Sequence, residues 1–329
     1  PVAAIGALAE LPGIRWLQTP SYAMSQTGSL LTEGDVALGS AAVRADLGFD
    51  GTGIRVGIIS DGIGGLADAQ ASGDAPDLDT RKAFSIEGIE AGSEGTAIIE
   101  IVHDVAPGAI LSFANASTDL EMIEAVNFLS AFNDIVIDDL AFFFPDDQQS
   151  AVSRNTSAAL NNPDWPIRSY ITSVGNWALR HYQAPFAAGP DGKDEFNLEF
   201  TGAVHQFQAG PGTVDVQGLG PSPSNEIYME TGDEAHGILF WDDPWNTATN
   251  DYDLFLIDET GAIVDESTLA QGTGFNQPRE RFFFTNDGPP GRFQVVVQNF
   301  EDAAAGVILD LFVFETPKLP GEDLALNFN

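Results

Sequence analysis

The chain has 329 residues, and its 49 acidic side chains against 13 basic ones give a formal net charge of −36. Nucleic acids and anionic membranes are bound through cationic patches, so this charge argues against both as partners. The absence of cysteine excludes disulfide bonds, thiolate catalysis and cysteine-ligated zinc. A surface this acidic suits a soluble secreted protein, a saline habitat or the binding of cations. Of these we expect a secreted protein with an extracellular location.

Strands alternate with helices through the first half of the chain, after a mixed N-terminal extension. A β-branched apolar run predicts the first buried strand, and Ser93 is a candidate cap for the first long helix. In order, the predicted strands are 54–60, 109–113, 134–140 and 167–174, and the predicted helices are 95–105, 119–133 and 150–160. The second helix is expected to pack through the stripe Leu120, Ile123, Val126, Leu129 and Phe132. This alternation is typical of a parallel sheet flanked by helices.

The sequence pattern changes in the second half of the chain. Short runs of alternating apolar and polar residues are separated there by glycine- and proline-rich turns. The predicted strands are 225–231, 235–241, 252–258, 262–265, 281–285, 291–298 and 307–315. Several strands at short spacing indicate an all-β sandwich or jelly roll. We therefore expect four regions: an extension over 1–48, an α/β domain over 49–200, a sandwich over 201–316, and a tail or return linker over 317–329.

Polar side chains follow three of the predicted parallel strands at their carboxyl ends. They are Asp61 after the first, Asp138 and Asp139 at the third, and Asn176 after the fourth. Ligands of open parallel sheets bind outside the carboxyl ends of the strands, so these side chains are expected to converge on one crevice. Aspartate and asparagine are also common in turns and helix caps. For each residue taken alone, the alternative to a role in a ligand site is such a structural role.

Three segments, in this order, resemble the subtilisin-like serine peptidases (subtilases). They read GTGIRVGIISDG at 51–62, GSEGTAIIEIVHDVAPGA at 92–109 and ITSVGN at 171–176. The resemblance implies that Asp61 orients the general base and that Asn176 donates to the oxyanion. Glu94 stands where the family has the histidine of its HGT motif. The likeness spans roughly residues 50–180, and the family's GTS motif with the nucleophilic serine is not found in the sequence.

A glutamate at the histidine position is similar to the serine-carboxyl peptidases (sedolisins), which share the fold and use a Glu at the corresponding step. That likeness implies that Glu94 is the general base. Two close carboxyls do not both ionise easily, so Glu94 and Asp61 are expected to share one proton. The alternative is that Glu94 is an acidic residue that stabilises the start of its helix.

Asp139 occupies a segment that forms a wall of the substrate cleft in subtilases. In that family the segment usually contains Ser and Gly. A buried Asp139 could be a second partner for Glu94, or could select a basic substrate side chain. The alternative is a strand end that faces solvent. The available serines Ser222, Ser224 and Ser267 lack the tight, small-residue turn of a nucleophile.

These features together predict an incomplete subtilisin-like domain followed by a sandwich, acting as a serine endopeptidase through an acyl-enzyme. Glu94 would be the base, and the serine would come from a separate chain or segment, so the isolated chain is expected to be inactive. The substrate would be a protein or peptide. One alternative is an inactive pseudopeptidase that serves as a binding or scaffold protein. Another makes the sandwich the functional module, which would bind a glycan or a protein surface.

No cofactor is required by this chemistry. The carboxylates of Asp242, Asp243, Asp251 and Asp253 are of the kind that ligates Ca²⁺, which makes them a candidate structural calcium site. Their spacing is not that of a calcium loop, and a polar loop is the alternative. His103 follows Glu100 by three positions, a helical spacing that occurs in metal sites with carboxylate ligands. A single pair with this spacing also fits a histidine in the core.

Overall fold

The protein forms two compact units, one of residues 1–144 and 150–175, the other of residues 145–149 and 176–329. The computed structural model describes residues 32, 34–142, 150–175, 180–189, 200, 202–207, 222–271, 277–300, 304 and 306–316. Within this part of the chain no helix has the length and apolar character needed to cross a membrane.

The first unit is built on a five-stranded sheet in which all neighbours are parallel. Its strands are β1 (Arg55–Ser60), β2 (Thr80–Ala83), β3 (Ile110–Asn115), β4 (Ile135–Asp138) and β5 (Ser169–Thr172), in the order β2-β3-β1-β4-β5. The helices are α1 (Gly34–Ala37), α2 (Ser40–Leu47), α3 (Leu66–Ser72), α4 (Glu94–Val105), α5 (Asp119–Ser130) and α6 (Ala151–Leu160). The predicted parallel sheet with helices is confirmed.

Helix α5 begins with a capping box, in which the Thr118 side chain accepts from the Glu121 N–H and the Glu121 carboxylate accepts from the Thr118 N–H. Its buried face comprises Met122, Ala125, Val126 and Leu129, together with the terminal Asp119 and Ser130. The predicted stripe was wrong at Leu120, which is 62% exposed. Positions three apart drift around a helix of 3.6 residues per turn, so five of them cannot all share one face.

The sequence-based prediction has no elements between the first strand and the first long helix, where the structure has α3 and β2. Helix α3 has only seven residues, and strand β2 is exposed at three of its four positions. Strand β2 lies at the edge of the sheet and pairs only with β3 among the described strands. Short elements with one exposed edge carry no apolar periodicity, which explains why the pattern did not reveal them.

The second unit consists of two four-stranded antiparallel sheets, ordered β10-β9-β12-β7 and β11-β8-β13-β6. Its strands are β6 (His181–Pro185), β7 (Asn225–Met229), β8 (Glu234–Trp241), β9 (Asp251–Asp258), β10 (Ile263–Ser267), β11 (Arg279–Thr285), β12 (Gly291–Phe300) and β13 (Ile308–Thr316). Leu254 and Val295 of one sheet share a hydrophobic core with Leu239 and Leu311 of the other. The β-rich second region is therefore confirmed.

Strand β6 lies earlier in the chain than the expected sandwich, which the sequence analysis started at residue 201. It pairs with β13 in antiparallel register, from Ile308 opposite Pro185 to Phe312 opposite His181. The two elements are separated by more than 120 residues, and local sequence patterns carry no information about such a pairing.

We expect Leu129→Ala to destabilise the first unit by about 2–5 kcal/mol, because it removes a fully buried side chain from the core. Leu120→Ala is the matched control on the same helix, and we expect a change within about 0.5 kcal/mol because that side chain is largely exposed. Urea unfolding followed by the helical far-UV circular dichroism signal measures both. Equal effects of the two substitutions would contradict this packing.

Candidate functional site

Asp61 connects the end of β1 to the start of α4. Its Oδ1 atom accepts hydrogen bonds from the backbone N–H of Gly62 at 2.6 Å and from that of Glu94 at 3.1 Å. The predicted cap was wrong, because the Ser93 side chain makes no capping hydrogen bond. The first N–H groups of a helix have no partner within it and favour a negative charge. The Asp61 carboxylate therefore caps α4 from a distant part of the chain.

Glycines allow the two site-bearing loops to approach each other through their backbones. A Cβ atom on Gly92 would overlap the Asp61 carboxyl, and one on Gly62 would collide with the backbone of Gly92. The N–H of Gly64 donates to the carbonyl oxygen of Gly92 at 2.6 Å. The loops after β1 and before α4 are thus held in contact, with the Asp61 carboxyl enclosed between them.

Asn115, at the end of β3, is a buried positioning residue that the sequence analysis missed. Its Oδ1 accepts from the N–H groups of Phe84 and Ser85 at 2.9 and 3.2 Å. Its Nδ2 donates to the carbonyl oxygens of Gly88 at 2.8 Å and of Asp61 at 3.4 Å. Asn115 therefore ties the loop after β2 to the end of β1. The strand-end rule that selected Asp61 would also have selected Asn115.

Asp139, the residue after β4, reaches the same place in the unit as Asp61 and Glu94. Burial raises the pKa of its carboxyl to about 6 and the nearby negative charge of Asp61 adds to this, whereas hydrogen bonding with the side chains of Ser60 and Glu94 acts in the lowering direction. Its Oδ1 atom is buried and has no hydrogen-bond partner among the residues that the structure describes. Asp61, Glu94 and Asp139 thus form one cluster, which we call the three-carboxyl cluster.

Asp138 lies next to this cluster in sequence but has a different environment. Its Oδ1 accepts a hydrogen bond from Thr172 Oγ1 at 2.9 Å, across the pairing of β4 with β5. The side chain is buried, and burial raises its pKa to about 6. Asp138 therefore supports the pairing of β4 with β5, whereas Asp139, which follows the strand, belongs to the cluster.

The other candidate residues are Asn176 and the serines of the second unit. Asn176 lies outside the described residues. The hydroxyl of Ser224 donates to Gln294 at 2.7 Å, and that of Ser267 hydrogen-bonds Glu280, so both are engaged within the second unit.

Two of the four acidic residues named as a candidate calcium site, Asp242 and Asp243, hold loops through hydrogen bonds. Asp243 accepts from the backbone N–H groups of Thr249 and Asn250 at 2.7 and 2.8 Å, and Asp242 accepts from Ile308 at 3.0 Å. In the described part of the chain, no three His, Asp or Glu side chains are placed to hold a metal ion. Calcium binding stays a prediction.

Comparison with known proteins supports the fold. No protein-family model and no curated protein matches the sequence. The CspB protease of Clostridium perfringens is similar in structure, with 11% identity and a TM-score of 0.50 over 83% of this chain. The matched region spans 64% of that protease's length. AlgX of Pseudomonas aeruginosa matches at 11% identity over 95% of this chain and 63% of its own length. Its TM-score of 0.26 is too low to support a shared fold.

We expect Gly92→Ala to displace the Asp61 carboxyl, because the added methyl group would overlap it. The loss of the hydrogen bond to the Glu94 N–H and the strain should destabilise the first unit by about 1–3 kcal/mol. Gly34→Ala is the control, since its Cβ would be 3.9 Å from the nearest neighbouring atom. Urea unfolding by circular dichroism compares them, and a Gly92→Ala protein as stable as the parent would contradict the packing.

The stability of the first unit should fall as the pH rises from about 4 to about 7. Asp138 has a higher pKa in the folded state than in the unfolded chain, so its contribution is complete below the unfolded value and is lost as the pH rises through about 6. The loss amounts to about 3 kcal/mol for this carboxyl.

Asp138→Asn should remove this part of the pH dependence of stability. Asp68→Asn is the control: it changes the charge equally at an exposed position of α3 and should leave the pH dependence unchanged. Urea unfolding at several pH values measures the difference. A free energy of unfolding that stays constant or rises over this interval in the parent, with no difference from Asp138→Asn, would contradict the assignment.

Proposed function

We propose that this chain carries the acid–base part of a subtilase-like serine endopeptidase, in which Glu94 is the general base. The observation that carries the proposal is the placement of Glu94 at the first residue of α4, with its N–H bound to the strand-end carboxylate of Asp61. A strand-end acid paired with a helix-start base is the arrangement that the three resembling segments imply. The fold likeness to a protease gives independent support.

The proposed chemistry is acyl transfer with a serine hydroxyl supplied by a separate chain or segment. The Glu94 carboxylate takes the hydroxyl proton as the serine oxygen attacks the peptide carbonyl carbon. The protonated Glu94 then gives that proton to the departing amine nitrogen as the C–N bond breaks. A water molecule, activated by the same carboxylate, hydrolyses the acyl-enzyme.

Two further side chains complete this proposal. Asp61 would hold Glu94 in place through its backbone and supply a negative charge beside it. The side-chain amide of Asn176 would donate to the oxyanion, an interaction worth roughly 3 kcal/mol in such sites. The β-rich second unit would act as an accessory recognition module, and the substrate would be a protein or peptide in an extracellular setting.

The test is the pH dependence of kcat/KM for peptide hydrolysis by the full-length encoded protein. We expect a maximum on the acid side of neutrality, because a carboxylate base starts from a pKa of about 4.3. Glu94→Gln should lower kcat/KM by about 100-fold or more, since the amide keeps the volume and cannot accept the proton. Glu87→Gln, at an exposed site in the preceding loop, is the matched control and should leave it unchanged.

Full activity of Glu94→Gln, or a maximum above about pH 8, would rule out Glu94 as the base. A serine-reactive fluorophosphonate should leave the isolated 329-residue chain unlabelled. Stoichiometric labelling of one serine in that chain would show that its nucleophile had been overlooked. A full-length protein that binds peptides without any turnover would favour the pseudopeptidase alternative.

A further inference from the structure

We propose that His205 is an acid-sensitive latch between the two sheets of the second unit. The latch is closed while the imidazole is neutral, and it opens when the ring takes up a proton. This switch lies wholly in the second unit and is independent of the proposed function.

His205 lies where two short segments connect the sheets. Residues 186–189 follow β6 of one sheet. Residues 203–206 pair with β12 of the other sheet, and the His205 N–H donates to the Val297 carbonyl oxygen at 2.8 Å. An antiparallel bridge between Ala188 and His205 joins the two segments. We call them the bridging pair, since each belongs to a different sheet.

Both ring nitrogens of His205 are hydrogen-bonded, and the side chain is fully buried. The Nδ1 atom lies 3.1 Å from the backbone nitrogen of Ala187, whose N–H can only donate. Nδ1 is therefore the acceptor, and the ring proton is on Nε2, 2.9 Å from the hydroxyl oxygen of Tyr182. An imidazolium donates from both nitrogens, so protonation would leave the Ala187 N–H buried without its acceptor, which is costly.

The surroundings of the ring offer no negative charge to balance a proton. Tyr182 of β6, Phe186 and Phe207 place their ring centroids 5.6, 5.5 and 4.8 Å from that of the imidazole. Tyr252 of β9 packs behind Phe186 at 5.4 Å. The two tyrosine hydroxyls, the titratable groups among these side chains, carry no charge in acid. Burial accordingly lowers the pKa of His205 to about 4.

Acid should therefore favour opening of the latch. Once the bridging pair separates and the ring meets water, His205 takes up a proton near the ordinary value of about 6.5. The closed form is fully favoured above that value and loses stability as the pH falls toward about 4. The ratio of open to closed molecules should rise by about 100-fold or more over this interval.

Two buried carboxyls of the same unit titrate in the opposite sense. Burial raises the pKa of Asp253 and that of Glu280 to about 7, so their contribution to stability is complete in acid and is lost as the pH rises. Global unfolding of the second unit therefore combines opposing effects. The latch has to be followed by a local measurement at the bridging pair.

The direct test is an NMR titration of the 329-residue chain that follows the His205 ring and the backbone amides. We expect a neutral ring with its proton on Nε2 until the pH approaches about 4. The Gln206 N–H donates to the Ala187 carbonyl oxygen at 2.8 Å across the bridging pair. Its hydrogen-exchange protection, corrected for the intrinsic rate, should fall by about 100-fold or more between about pH 7 and about pH 4, while the amides of β9 keep theirs. A ring that becomes protonated near pH ~6.5 while the Gln206 amide stays protected would overturn the proposal.

A pair of variants separates the latch from other effects of acid. The side-chain oxygen of His205→Asn can accept from the Ala187 N–H at every pH, so the acid-dependent loss of Gln206 protection should disappear. His236→Asn, at a partly exposed position of β8, is the matched control and should keep that loss. The same loss in His205→Asn as in the parent would contradict the proposal. If that variant does not fold, the titration of the parent chain still decides.

Discussion

The hydrogen bonds to the Asp61 carboxylate are the interaction on which the rest of the site depends. They join the carboxyl end of β1 to the first residue of α4, although 33 positions separate Asp61 from Glu94 in the chain. The close approach is permitted by glycines that leave no room for a Cβ atom, above all Gly92. Because this contact fixes where α4 begins, it also fixes where the Glu94 side chain projects.

The protein uses buried carboxyls as internal hydrogen-bond acceptors in both of its units. In the second unit, Glu280 is fully buried and accepts from Ser267, from the Leu269 N–H at 3.1 Å and from Gln271 at 2.6 Å. Burial raises its pKa to about 7 and that of Asp253 likewise to about 7. A raised pKa is therefore not by itself the mark of a catalytic group here. What distinguishes Asp139 is a second carboxyl, Glu94, as its hydrogen-bond partner.

The sequence predicts the part of this architecture that follows from local pattern. Buried β-branched runs locate strands β1, β3 and β4, and the polar residues after them lead to Asp61 and Asp139. Interactions between distant segments were not predictable in this way. The cap of α4 comes from Asp61 instead of Ser93, and Asn115 holds the loop that follows β2. The pairing of β6 with β13 is likewise a long-range contact that no local pattern encodes.

The most direct test of the account is the hydrogen exchange rate of the Glu94 backbone amide, measured by NMR in the parent chain and in Asp61→Ala. If Asp61 caps α4, this amide exchanges slowly in the parent and much faster in the variant, while the amides of α5 keep their protection. Equal protection of the Glu94 amide in both proteins would show that another group caps the helix. The position of Glu94 would then not depend on Asp61, contrary to this account.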